Sequence, residues 1–235
     1  MPRLHPLLHG RIVLFDVDGT IAETEGQGHL PAFNQAFEEF GLTWQWSVTD
    51  YAALLRITGG FERMLAYAQR VGDPIAVSDS GQRILKSIHQ RKNALYAERM
   101  AAGEIRPRKG FISLVQAIVA AGQSWAVVTT TSRTNWQVLY RDAICREQAV
   151  PPPVLAVCGE DVQAKKPDPQ AYALALTQLN RAASDCVAIE DSRNGLLAAR
   201  GAGLDTIVVR SQFFGAQEFP QAQLVAGELS ELLLG

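Results

Sequence analysis

Five short apolar runs punctuate the chain: Ile12–Phe15, Trp125–Thr129, Val154–Cys158, Cys186–Glu190 and Thr206–Val209. Each is close to continuous instead of alternating, the pattern of a strand covered on both faces, as in a parallel sheet. Between them Ile112–Ala121, Thr134–Ala143, Gln170–Leu179 and Gly195–Arg200 carry apolar residues at helical spacing. Strand and helix in alternation predict crossover units and an α/β fold built on a doubly wound parallel sheet. In such sheets a ligand binds outside the carboxyl ends of the strands.

Residues 25–107 break this pattern. Helical spacing runs through Ala32–Phe40, Tyr51–Arg56, Glu62–Val71 and Gly81–Ala102, interrupted at Gly41, at Ile57–Gly60 and at Gly72–Pro74. A crossover needs one helix, so this stretch is too long for a connection. It reads as an inserted helical cap domain, residues 25–107, on a core domain of residues 1–24 and 108–235. The core is rejoined through "RPRKG", Arg106–Gly110, and Pro151–Pro153 stiffens the approach to the third run.

The runs end in polar residues. Ile12–Phe15 gives way to Asp16, Val17, Asp18, Gly19 and Thr20. A period of two projects Asp16 and Asp18 to the same side. There they repel unless a cation or a shared proton holds them. The second run ends in Thr129 and the fourth in Glu190 and Asp191, so three separate segments deliver polar groups to one crevice. The net charge of −2 gives no reason to expect nucleic acid or an anionic membrane as partner. No window approaches the length of a membrane span, and "MPRLHPLLHGR" is too short and too broken for a signal sequence. Cys145, Cys158 and Cys186 are odd in number and read as reduced core residues, so a cytoplasmic location is expected. A monomer is expected as well.

Four segments together carry the chemistry: "DVDGT" (Asp16–Thr20), "VVTTTS" (Val127–Ser132), "KKPDP" (Lys165–Pro169) and "EDSRNG" (Glu190–Gly195). In this order they resemble the four motifs of the haloacid dehalogenase (HAD) superfamily of phosphohydrolases. The insertion falls where that family's helical cap falls. The resemblance implies a Rossmann-like HAD core and an aspartyl-phosphate reaction with Mg²⁺ as cofactor. Asp16 is implied as nucleophile and Asp18 as general acid and base. Asp16, Asp18 (through its backbone carbonyl), Glu190 and Asp191 are implied as metal ligands. Thr129, the amide of Thr130, and Lys166 are implied to hold the phosphoryl oxygens. Lys166 is chosen over Lys165 because the family's lysine directly precedes proline.

"DVDGTIAETE", "TGGFERM" (Thr58–Met64) and "QRKNALY" (Gln90–Tyr96) look most like the CbbY group of sugar-bisphosphate phosphatases. That likeness implies a small sugar phosphate as partner, with xylulose 1,5-bisphosphate as the substrate. The β-phosphoglucomutases come next; they share the phosphoenzyme, so the core motifs do not separate phosphatase from mutase. Substrate contacts are implied for Glu25, His29, Gly60, Arg63 and Lys92, and a distal phosphate is a hypothesis for Arg133. His29 meets the family's histidine only after a one-residue insertion in "EGQGHL" (Glu25–Leu30). Tyr51 reaches the sugar or packs its ring, and Trp44 and Trp46 read as packing residues.

Overall fold

The apolar runs become strands, one of them shortened, and three further strands join them. The computed structural model describes residues 3–146 and 150–235, which leaves Met1 and Pro2 of the N-terminal stretch outside the described residues. Its strands are β1 (Arg3–Leu4), β2 (Ile12–Phe15), β3 (Trp125–Val128), β4 (Ala156–Val157), β5 (Cys186–Glu190), β6 (Asp205–Val209), β7 (Leu224–Ala226) and β8 (Leu233–Leu234). Six form one sheet in the order β4-β3-β2-β5-β6-β7, every neighbouring pair parallel. Strand order reverses around β2, which pairs with β3 on one side and β5 on the other. This is the doubly wound arrangement expected, with its switch point at the carboxyl end of β2.

β4 is shorter than its apolar run. Pro151–Pro153 offer no N–H donors, so pairing starts only where the Val154 N–H meets the Trp125 carbonyl at 2.9 Å. β7 is three residues long with Val225 exposed, too little to register as an apolar run. β1 and β8 make a separate antiparallel pair, Arg3 opposite Leu234.

The helices are α1 (Leu30–Glu39), α2 (Val48–Leu54), α3 (Gly60–Val71), α4 (Asp79–Ala102), α5 (Phe111–Ala120), α6 (Arg133–Leu139), α7 (Gln170–Leu179) and α8 (Arg193–Gly201). Ser47, Ser78, Ser132 and Ser192 start α2, α4, α6 and α8, each accepting the backbone N–H three residues on. The stretch predicted as one helix from Thr134 to Ala143 is α6 followed by a π turn, Tyr140–Ile144.

Alternation along the strands sorts the two faces of the sheet. Leu14, Ala126, Val128, Cys186 and Ala188 pack with Ala171, Tyr172 and Ala175 of α7 and with Ala198 and Ala199 of α8. Phe15 and Trp125 point the other way and meet Phe111 of α5 edge to face, with centroids 5.5 to 6.0 Å apart. Burying each such side chain contributes about 1.5–3 kcal/mol. The same alternation matters at the strand end: Glu190 continues the Cys186–Ala188 face and so emerges on the side covered by α7.

The chain packs into two units, Met1–Glu23 with Arg106–Gly235, and Thr24–Ile105. Among the described residues the second unit holds helices and no strand. Its interior is aromatic: Phe33, Phe37, Trp44, Trp46, Tyr51 and Tyr67 meet with centroids 4.8 to 6.1 Å apart. Trp44 and Trp46 are therefore packing residues. Just before α1, Glu25–His29 form a π turn in which the Leu30 N–H reaches back to the Glu25 carbonyl. A π turn holds one residue more than an α turn, which accommodates the extra residue of "EGQGHL". Among the described residues, no helix is long and apolar enough to cross a membrane.

Candidate active site

The site grows from the carboxyl ends of β2, β3 and β5. Asp16 follows the last residue of β2 and is only 7% exposed. Lys166, on the segment leading into α7, donates to Asp16 Oδ1 at 2.7 Å, to the Val128 carbonyl at 2.8 Å and to Glu190 Oε1 at 2.6 Å. An ammonium has three donors, and here each has an acceptor. Lys166 therefore ties the ends of three neighbouring strands together.

Asp16, Glu190 and Asp191 are all buried, and each brings an oxygen within 4.8 Å of the other two. Glycines make room for them. Gly19 has φ +84°, and a Cβ there would stand 2.0 Å from Asp191 Oδ2. A Cβ on Gly195 would stand 1.8 Å from Glu190 Oε2. Three clustered carboxylates, two of them on the one ammonium of Lys166, leave a surplus of negative charge. Burial pushes Asp16 up to about 7 against the lowering effect of Lys166, with Glu190 and Asp18 adding to the rise. Burial, then the charge of Asp16, pushes Asp191 well above the usual carboxylate range. Burial works against the charge on Lys166, but Asp16 and Glu190 outweigh it and raise its pKa. A cluster of hard oxygen donors with excess negative charge is the kind of set that fits a hard divalent cation.

The other core residues surround this cluster in sequence. Thr129 stands just beyond β3, buried, and its Oγ1 accepts the Thr131 N–H at 3.1 Å. Accepting that bond fixes the turn and leaves the hydroxyl proton to point elsewhere. Thr130 is half-buried, and its carbonyl lies 2.5 Å from where a Cβ on Gly159 would be. Asp18 is half-buried in the turn that bridges back to Ala22, and its carboxylate is not one of the three gathered above. Arg133, exposed at the start of α6, pairs with Asp161 at 2.5 Å and reaches the Ala156 carbonyl at 3.3 Å. That geometry braces α6 against the segment around β4 and lends no support to the distal-phosphate hypothesis for Arg133.

The cap unit collects its own residues in two groups. In the first, the buried Tyr51 hydroxyl donates to Glu25 Oε2, and Arg63 Nη1 donates to the Tyr51 hydroxyl at 3.1 Å. Arg63 also lies 3.5 Å from Glu25 Oε1 and donates to the Ile57 carbonyl at 2.9 Å. The Tyr51 ring stacks on Trp46, the packing role considered for it, while its hydroxyl serves the Glu25–Arg63 pair. In the second group Lys92 Nζ sits 2.8 Å from His29 Nδ1, and His29 stacks on Tyr96 at 4.3 Å. A charged Lys92 can only donate, so His29 accepts at Nδ1. The ammonium also stands 4.8 Å from the Phe33 ring centroid. Gly60 opens α3 against His89 and Phe33, whose atoms would lie 2.7 and 3.2 Å from its Cβ. Its small size serves packing within the unit.

Three residues of the site were not singled out from the sequence. Tyr172 donates to Glu190 Oε1 at 2.5 Å. Ser211, after β6, hydrogen-bonds Asp191. Arg108 donates to the carbonyls of Gly19 and Arg210, both at 2.6 Å, and of Gly227 at 3.0 Å, bracing the turn after Asp18. Tyr172 lies on a predicted helix, where its spacing reads as that of a packing residue. Arg108 was visible only as part of "RPRKG".

A family model described as haloacid dehalogenase-like hydrolase matches residues 11–203. The chain belongs to the haloacid dehalogenase-like hydrolase family. Among HAD-like proteins it is 38% identical to plasmid protein CbbY of Cupriavidus necator, over 93% of this chain and 85% of that one. It is 39% identical to protein CbbY of Cereibacter sphaeroides, over 94% of this chain and 93% of that one. The crystal structure of CbbY from Rhodobacter sphaeroides in complex with phosphate superposes with a TM-score of 0.84 at 39% identity, covering 94% of this chain and 96% of that one. A mutant of that CbbY in complex with xylulose-(1,5)bisphosphate superposes at 0.83, with 38% identity over 94% and 95% of the two chains. Family and relatives together make this HAD-like hydrolase a phosphatase, as its motifs imply.

Proposed function

We propose that the chain is a Mg²⁺-dependent phosphatase that removes one phosphate from a small sugar bisphosphate, xylulose 1,5-bisphosphate foremost, through an aspartyl phosphate on Asp16. The observation that carries this reading is the surplus of buried carboxylates around Asp16, with Lys166 on its Oδ1 at 2.7 Å. Asp16, Asp191 and Glu190, with the backbone carbonyl of Asp18, would hold Mg²⁺, which when bound neutralises charge on the carboxylates and on the substrate phosphate.

Lys166 fixes the rotation of the Asp16 carboxylate, so its other oxygen attacks phosphorus while the bond from phosphorus to the sugar oxygen breaks. Asp18 gives its proton to the departing oxygen. Water then attacks the phosphorus of the aspartyl phosphate, Asp18 takes a proton from it, and Asp16 is released with inorganic phosphate. Thr129 and the Thr130 amide donate to the phosphoryl oxygens, and Lys166 offsets the negative charge that develops on them. The relatives support the substrate reading: a mutant CbbY has been crystallised in complex with xylulose-(1,5)bisphosphate, and this chain is 38% identical to it. Arg63 and Lys92 are the cap cations offered to the far phosphate. The three unpaired cysteines support a reducing, cytoplasmic setting.

Turnover over a panel of sugar monophosphates and bisphosphates with Mg²⁺ tests the reading. Fast release of inorganic phosphate from xylulose 1,5-bisphosphate is expected. Equal rates throughout, or none on any bisphosphate, discard the substrate. Interconversion of hexose 1- and 6-phosphates would replace the phosphatase outcome with a mutase.

A further inference from the structure

We infer that Tyr172 is a positioning residue for the acid cluster: its hydroxyl fixes Glu190 so that Lys166 stays shared between Glu190 and Asp16. The inference deepens the reading of this site as a Mg²⁺-dependent phosphatase and rests on it. Glu190 lies on the strand face that α7 covers, where its carboxylate would otherwise meet an apolar helix. Tyr172, on that helix, is fully buried and donates its hydroxyl to Glu190 Oε1 at 2.5 Å. The same oxygen accepts from Lys166 at 2.6 Å, and the Lys166 ammonium stands 5.1 Å from the Tyr172 ring centroid. One side chain therefore supplies both a donor to the carboxylate and a ring face to the ammonium.

Two donors saturate the two lone pairs of Oε1. Oε2 sits over Gly195, in the space a Cβ would fill. Glu190 is thus held through Oε1 by two donors, and Lys166 need not satisfy it alone. Without the phenol, Oε1 has one donor in a dry interior, and the pull of Glu190 on Lys166 grows at the expense of Asp16. The carboxylate is also left to find its orientation when a cation binds. Groups that orient metal ligands from behind typically alter affinity or rate in this way.

Full-length Tyr172→Phe and Tyr172→Leu variants test the inference beside the parent. Steady-state kinetics use p-nitrophenyl phosphate and xylulose 1,5-bisphosphate; Mg²⁺ affinity is measured by calorimetry without substrate. The Phe variant keeps the ring and loses only the hydroxyl. It is expected to show kcat down and the Mg²⁺ Kd up by about tenfold each, with KM within about twofold and Tm within about 2 °C of the parent. The Leu variant, without the ring, falls further. If the Phe variant matches the parent within about twofold in both kcat and Mg²⁺ Kd while the Leu variant loses activity, Tyr172 only packs and the inference is overturned. A parent inert on every phosphate ester would sink the phosphatase reading instead, while the Mg²⁺ Kd values would still decide the role of Tyr172.

Discussion

The two units handle buried charge in opposite ways. In the core, Asp16 and Glu190 share Lys166 and Asp191 clusters with them, so acids outnumber the base. In the cap, Glu25 is matched by Arg63, and Lys92 is held by a histidine and two aromatic faces, those of Phe33 and Tyr96. An unbalanced buried charge is costly unless a counter-charge arrives. The core thus carries a deficit of positive charge, which the proposed Mg²⁺ would correct. In the cap the buried acid Glu25 has its cation beside it, and Lys92 is the cation that the proposed function offers to a phosphate.

The comparison can be broken first at the core. Asp16→Asn keeps the size of the side chain and an oxygen for Lys166, but removes the nucleophile. Turnover on any phosphate ester should fall by about 10⁴-fold or more with the fold intact by circular dichroism; a fall below tenfold would mean that another group attacks phosphorus. In the cap, Lys92→Met should raise KM for xylulose 1,5-bisphosphate by about 10–100-fold, the loss of one charge-assisted contact. Turnover of p-nitrophenyl phosphate, which has no second phosphate, should stay within about threefold. Equal losses on both substrates would remove the cap from substrate choice. The smallest effect is expected at Arg133→Ala, an exposed pair with Asp161: kcat/KM within about twofold and a Tm lower by about 1–2 °C. A tenfold KM increase on the bisphosphate alone would restore the distal-phosphate hypothesis for Arg133.

What was legible in the sequence follows the same divide. The core strands could be read because both faces of β2, β3, β5 and β6 are covered, which demands unbroken apolar runs. Asp16, Glu190 and Asp191 could be read because each closes or follows a run fixed by that pattern, and Lys166 because "KKPDP" resembles a haloacid dehalogenase motif. Short edge elements such as β7 left too little apolar surface to be seen. Tyr172 was hidden because a hydroxyl on a buried helix face has the same spacing as a packing residue. Arg108 was hidden because its partners are carbonyls of Gly19, Arg210 and Gly227, and backbone acceptors leave no trace in side-chain patterns. In the cap, the π turn at Glu25–His29 depends on hydrogen bonding one residue beyond the α register, which composition does not reveal.

The most direct test of the charge deficit is thermal unfolding with and without Mg²⁺ at pH 8 and at pH 5. Asp16 is raised from an ordinary 3.8 to about 7 in the folded chain, and Asp191 moves the same way. A raised carboxylate contributes stability below the unfolded pKa and loses it as pH rises through the folded one, so the metal-free protein is penalised most at pH 8. With the metal at about 100 times its Kd at pH 8, Tm should rise by about 5–10 °C, and at pH 5, where protons compete for the same oxygens, by less than about half of that. A Tm indifferent to Mg²⁺ at pH 8, or a larger shift at pH 5 than at pH 8, would contradict the account.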